Sequence, residues 1–180
     1  MDIFDFIDQM PKVKSSEPKI EKVFDFKKQM DIGDAGERDF QNAYRKFAPV
    51  KSRDDLTYDF TLKNGKTVEL KTDAYSMNDS KNFFMETISD IDRNKIGGPA
   101  RAYRDRVDFF VYYYIKNKTY FWFDTVQLYH AVESLIASGD FKLKTIKNKG
   151  WTAQGYAIPR EELAPLILFE EYCPLLWLKK

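Results

Sequence analysis

The chain has 180 residues, of which 43% are hydrophobic and 16% aromatic; that suffices for one globular domain with a sizeable core and is cramped for two. Its net charge of +1, from 29 basic and 28 acidic residues, excludes a protein that coats nucleic acid by charge alone, so any phosphate-binding surface must be a local patch. A single cysteine and a single histidine exclude an intrachain disulfide, a cysteine-rich zinc module and most histidine-built metal sites.

In chain order, residues 1–30 read as an N-terminal arm or linker, with Pro11 and Pro18 inside a polar stretch, ahead of one domain over residues 31–180. The start MDIFDFIDQM is acidic and lacks the positive region of a signal peptide. No apolar run approaches the roughly 18 residues that span a membrane. A cytoplasmic protein without a membrane partner is expected, in the host cytoplasm if the source is viral. Phe40, Ala43, Tyr44 and Phe47 recur at spacings of three and four, which predicts a helix. Asp34 and Glu37 have the spacing of a capping box, so the helix is expected to start near Asp34 and to stop before Pro49.

Residues 57–62 (TYDFTL) and 66–71 (KTVELK) alternate strictly around Lys63-Asn64-Gly65, the signature of a β-hairpin. Further strands are expected at 82–88, 107–115, 119–123, 141–147 and 154–158. A short helix is expected to run from Pro99 to about Asp105, and a longer one to follow its cap at Asp124. Pro159 opens a short helical turn. This order predicts an α/β fold, a central mixed β-sheet flanked by helices.

The hairpin register decides the chemistry. A two-residue loop would mix apolar and charged side chains on both faces. A three-residue loop pairs Leu62 with Lys66, with Gly65 in the left-handed position of a bulge, and sorts the faces. Tyr58 then meets Leu70 and Phe60 meets Val68 on the apolar face. On the other face Asp59 meets Glu69, Thr61 meets Thr67 and Thr57 meets Lys71. Opposed carboxylates repel, and a shared proton, a neighbouring cation or a bound metal must offset the repulsion. Lys71 projects from the same face. Oxygen donors without histidine or cysteine suit Mg²⁺ or Mn²⁺, and a lysine beside such an ion can orient a water for phosphodiester hydrolysis.

Asp59, a short hairpin and then Glu69-Leu70-Lys71 resemble the motif of the PD-(D/E)xK nuclease superfamily. The resemblance covers roughly residues 34–123. It implies a restriction-endonuclease-like core that cleaves nucleic acid with Mg²⁺, and Glu37 matches the helix glutamate that joins the metal site in many members. The proline often found before the first acid is replaced by Tyr58. The chain also looks like the small nucleases and resolvases encoded by phages. The expected site is therefore Asp59, Glu69 and Lys71 for catalysis, with Asp59, Glu69 and Glu37 for the metal. Arg101 and Arg104, with Lys95 and Lys81, are the expected DNA contacts, beside a Gly97-Gly98-Pro99 loop that could present N–H groups to phosphate.

The expected activity is metal-dependent cleavage of nucleic acid, with DNA and endonucleolytic action favoured. A Holliday-junction or other structure-specific resolvase is one alternative, for which a homodimer is left open. A non-catalytic nucleic-acid or protein-binding module on the same fold is another. The plainer reading of the acid–lysine cluster is a solvated sheet face with cross-strand ion pairs. For Glu37 it is a helix cap, for Glu86 an edge-strand charge and for Asp73 a turn. His130, Cys173 and the Tyr112–Tyr114 run read as structural.

Overall fold

The computed structural model of the protein describes residues 26–51, 57–148 and 150–173. Most of the stretch expected as an arm, and the end of the chain, lie outside the described residues. Helix α1 (Phe26–Ala43) is followed by a 3-10 turn and strands β1 (Val50–Lys51), β2 (Phe60–Thr61), β3 (Thr67–Asp73), β4 (Asn82–Asp90) and β5 (Lys95–Ile96). Helix α2 (Gly98–Arg104), β6 (Phe109–Tyr114), β7 (Thr119–Asp124) and α3 (Thr125–Ala137) come next. The chain continues through β8 (Leu143–Asn148), β9 (Trp151–Pro159), the turn α4 (Arg160–Leu163) and β10 (Ile167–Tyr172).

The α/β expectation holds, with a mixed central sheet in the order β1-β2-β3-β6-β7-β10, in which β3 and β6 run parallel and the other neighbours antiparallel. Two expectations need correction. Strand β4 is not part of that sheet; it belongs to a second, antiparallel sheet, β5-β4-β9-β8. Its apolar residues Phe83 and Met85 pack with Phe110, Tyr112, Tyr114, Phe121 and Phe123 in one core cluster. A run as apolar as NFFMETI is buried equally well by pairing within a sheet or by stacking on one, so its composition does not choose the layer. The first helix begins at Phe26, inside the expected arm, so Asp34 is mid-helix and the capping box does not form. The same helix stops at Ala43, which leaves Phe47 in the 3-10 turn and 42% exposed, off the predicted stripe.

Side-chain hydroxyls fix the layers against each other. Tyr114 Oη donates to the carbonyl of Asn82 at 2.6 Å, and Tyr112 Oη accepts from the Phe84 N–H at 3.1 Å, so β6 holds the first half of β4 over the central sheet. On the opposite face, Tyr113 Oη and Lys118 Nζ both donate to Asp39 of α1 at 2.6 Å. The tyrosine run is thus packing with satisfied polar tips, as expected. His130 lies against Tyr103 and Tyr129, and Cys173 packs at the margin of the cluster around Phe40 and Tyr44, both in structural roles.

Helix α1 reaches the sheet closely because of Gly36. A Cβ there would sit 2.0 Å from Thr72 Oγ1 and 2.9 Å from Thr72 Cβ on β3. Gly36→Ala is therefore expected to destabilise the protein by about 1–3 kcal/mol, despite alanine's better helix propensity. Urea midpoints check this, and adding Thr72→Ala in the same chain is expected to restore part of the loss.

Candidate functional site

The hairpin takes the three-residue register. Phe60 pairs with Val68 and Thr61 with Thr67, the Leu62 N–H bonds the Lys66 carbonyl at 2.8 Å, and Gly65 sits at φ 83°. The alternation departs from expectation one residue earlier. The Asp59 N–H donates to the Val68 carbonyl at 3.0 Å, so two successive residues address Val68, as in a β-bulge. Tyr58 consequently packs in the cluster with Phe83 and Phe110, on the other side of the sheet from Phe60, and does not face Leu70.

The bulge frees the Asp59 side chain for a different task. Its Oδ2 accepts the Leu70 N–H at 2.7 Å, taking the place of a ladder carbonyl just before β2 begins. Asp59 thus lies beside β3 without forming a regular cross-strand pair with Glu69. The two carboxylates still repel. Burial pushes Asp59 up to about 6, although the Leu70 N–H favours its charged form, and Glu37 raises it further. Burial and then the charge of Asp59 push Glu69 up to about 8, against the opposing pull of Arg101 and Lys71.

Glu69 is 7% exposed. Arg101 of α2 reaches down to its Oε1 in an ion pair, while Oε2 is buried without a hydrogen-bond partner. On the same face of β3, Lys71 Nζ lies 3.7 Å from Glu86 Oε2 of β4. From the other side of the sheet, Glu37 of α1 enters beside Asp59 and pairs with Lys51 of β1 at 2.6 Å. The cluster therefore combines Glu37, Asp59, Glu69 and Lys71 with Glu86, whose charge in an apolar strand reads either as a partner of the site or as an edge-strand charge, and with two residues that sequence patterning did not assign to it: Lys51, and Arg101 as a partner of Glu69.

The other expected contacts separate. Arg104 pairs with Asp105 at 2.7 Å and lines an open cavity of about 400 Å³ together with Tyr103, Arg106 and Asp108. Lys81 and Lys95 stand at opposite ends of β4, with roughly 25 Å of strand between them, and share no patch. Asp73, the last residue of β3, accepts hydrogen bonds from Tyr112 Oη and from the Tyr75 N–H of the segment that follows, and so serves the strand end and not the cluster. The glycine loop is closed onto β4. The Gly97 N–H bonds the Thr87 carbonyl at 2.9 Å, and Cβ atoms at Gly97 and Gly98 would lie 2.4 Å from Glu86 Oε1 and 2.2 Å from the Glu86 carbonyl oxygen. These glycines are there for close packing, not for an open phosphate cradle.

Hard oxygen donors and an unpartnered buried Oε2 suit a divalent cation at Glu69 and Asp59, with Glu37 adjacent. Among the described residues, however, no three histidine, cysteine, aspartate or glutamate side chains form a ready-made ligand set. Internal cations hold the acids instead.

No protein-family profile matches this chain, and no curated protein matches it. Among solved structures, the bacterial homing endonuclease I-Ssp6803I is similar over 53% of this chain and 68% of its own, at 17% identity and a TM-score of 0.39. A likeness of that size assigns neither family nor activity, so the site is read from its own geometry. No described helix is long and apolar enough to cross a membrane.

The raised carboxyl groups set a direction for stability. Between the ordinary values of 3.8 and 4.5 and the folded values of about 6 and about 8, the folded chain holds protons that the unfolded chain has released. That stabilisation is full below about pH 4 and is lost as pH rises through the folded values. In EDTA, the melting temperature is expected to fall between about pH 5 and pH 8. Glu69→Gln is expected to flatten this slope and to raise the melting temperature by several degrees at the alkaline end. Thermal scans across pH check it; parallel curves for the two proteins would contradict the assignment.

Proposed function

We propose that this protein is a metal-dependent nuclease that hydrolyses phosphodiester bonds, with DNA as the favoured substrate and endonucleolytic cleavage as the favoured mode. The observation that carries the reading is the convergence of Glu37, Asp59, Glu69 and Lys71 from α1, the bulge before β2, and β3. Stability alone gives no reason to bury Glu69 beside a second carboxylate, since an uncharged residue would spare the repulsion and the desolvation. The arrangement also agrees with the PD-(D/E)xK resemblance and its restriction-endonuclease-like core.

In this reading Asp59 and Glu69 would hold Mg²⁺ or Mn²⁺, with Glu37 adjacent to Asp59 and free to join once it leaves Lys51. The ion, when bound, polarises a phosphoryl oxygen and makes a bound water more acidic. Lys71 is the residue placed to act on the attacking water. Its side chain is about one-third exposed and its ammonium is paired with Glu86, so it can direct a water toward phosphorus and stabilise charge developing on the phosphoryl oxygens. The water oxygen bonds to phosphorus, its proton passes to solvent or a neighbouring base, and the ester oxygen departs with the bonding pair.

One observation favours a second reading. Every acid of the cluster except Asp59 already has an internal cation, as a non-catalytic binding module on this fold would require. Cleavage assays separate the two. Plasmid, linear duplex, single strand, RNA and a four-way junction are each incubated with Mg²⁺, Mn²⁺ or EDTA. Cleavage is expected with the metals alone, and Lys71→Ala and Glu69→Ala are each expected to slow it by about 100-fold or more. Activity that persists in EDTA, or in both variants, refutes the mechanism. Binding without cleavage under every condition supports the module, and selective cutting of the junction supports a resolvase.

A further inference from the structure

The Arg101–Glu69 pair has an asymmetry that an ordinary structural ion pair lacks. The Glu69 side chain is 10% exposed and that of Arg101 is 36% exposed, so the carboxylate is inside and the guanidinium spans from it to solvent. One terminal nitrogen of Arg101 engages Glu69 Oε1. The remaining guanidinium donors have no acceptor among the described residues, although a guanidinium offers five donors in a fork suited to two oxygens of one anion. On the other partner, Oε2 is buried and has no hydrogen bond. Both members of the pair are thus half-used, each with capacity left for another ligand.

The helix that carries Arg101 is held in place independently of this pair. Gly97 and Gly98 seat the start of α2 against the backbone and carboxylate of Glu86, and Ala102 is fully buried in the core. Arg101 can therefore change partners by side-chain rotation while α2 stays fixed. The charges leave room for a cation. Glu37, Asp59, Glu69 and Glu86 are four acids, and Lys51, Lys71 and Arg101 are three internal cations. A divalent ion on Glu69 and Asp59 would make Arg101 surplus at that point, beside an opening where a phosphodiester would bring negative charge.

We propose that Arg101 is an exchangeable counter-cation: it occupies Glu69 in the metal-free protein, leaves that carboxylate when a divalent cation binds, and is then presented to a phosphodiester of the substrate. This rests on the metal-dependent reading above. It assigns Arg101 two successive partners and makes metal binding the step that exposes the substrate contact. Arg101 competes with the metal for one carboxylate, so removing it tightens metal binding while weakening the hold on nucleic acid.

Two measurements test this. In the first, Mn²⁺ is titrated calorimetrically into the metal-free wild type, Arg101→Gln and Arg101→Lys. Arg101→Gln is expected to bind Mn²⁺ about tenfold more tightly than wild type, with Arg101→Lys close to wild type. In the second, the wild-type protein with ¹⁵N-labelled arginine is followed by NMR as Mg²⁺ is added. The Arg101 guanidinium N–H signal, assigned from its loss in Arg101→Lys, is expected to shift and to exchange faster with water. A short DNA duplex added next is expected to slow that exchange again. Equal or weaker Mn²⁺ binding by Arg101→Gln, or an Arg101 signal unmoved by saturating Mg²⁺, overturns the exchange and leaves the metal-dependent reading standing. If neither ion binds the wild type, both are overturned. The NMR arm uses the native chain, so it decides the question even if Arg101→Gln does not fold.

Discussion

A carboxylate that is 7% exposed must be compensated from within the protein, and the compensation of Glu69 links every part of this site. Glu69 lies on β3, which is flanked by β2 and β6 and packed by α1 on one face, while Arg101 of α2 and Glu86 of β4 reach its side chains from the other. The Glu69 side chain itself hardly reaches water, so the charge must come from neighbours. Arg101 descends from α2 to supply it. The position of α2 follows from Gly97 and Gly98 against Glu86, and Glu86 in turn steadies Lys71. The site is therefore one connected set of constraints, and moving β4 would disturb the lysine, the helix and the arginine together.

This compensation is incomplete. Asp59 adds a second negative charge, and its own Oδ2 is already committed to the Leu70 N–H. The repulsion between the two groups and the orphaned Oε2 are costs to the folded state with no packing benefit in return. Other buried polar groups are well partnered: Asp39 receives both Tyr113 and Lys118, and Trp122 Nε1 donates to Tyr44 Oη. Among the described residues three buried side-chain oxygens lack a partner, the Thr72 and Thr125 hydroxyls and Glu69 Oε2, and only the last belongs to an ionisable group facing a second carboxylate, as a binding site for a missing charge would.

Much of this was legible in the sequence, for identifiable reasons. Alternation of apolar and charged residues around Lys63-Asn64-Gly65 determined the hairpin register, because slipping by one would bury charges on the apolar face. Glu37, Asp59, Glu69 and Lys71 came from the same patterning and the motif it resembles, and they do converge. The bulge at Asp59 was not legible, because it depends on the carboxylate replacing a ladder acceptor, a local choice with no signature in alternation. Nor was the second sheet, since an apolar strand pairs or stacks equally well. Arg101 read as a surface cation because its partner, Glu69, is 32 residues distant and meets it only through the packing of α2. Gly36 gave no hint of its close approach to Thr72, as an isolated glycine in a helical pattern ordinarily signals only weaker propensity.

The second sheet also changes how a substrate could reach the cluster. On a bare sheet face, Glu69 and Lys71 would point to solvent and a duplex could lie across them. Here β4 stands over that face, with Glu86 3.7 Å from Lys71. Approach is left to the margin where Arg101 and Lys71 are each about one-third exposed, so cations line that entrance and Glu69 and Glu86 lie deeper. A phosphodiester arriving there meets positive charge before negative. That ordering matters for the proposed reaction, because a bare acidic cluster would repel a phosphodiester. The ion pairs that neutralise the acids thereby also shape the charge of the entrance, and any change that strips them would expose the repulsion first.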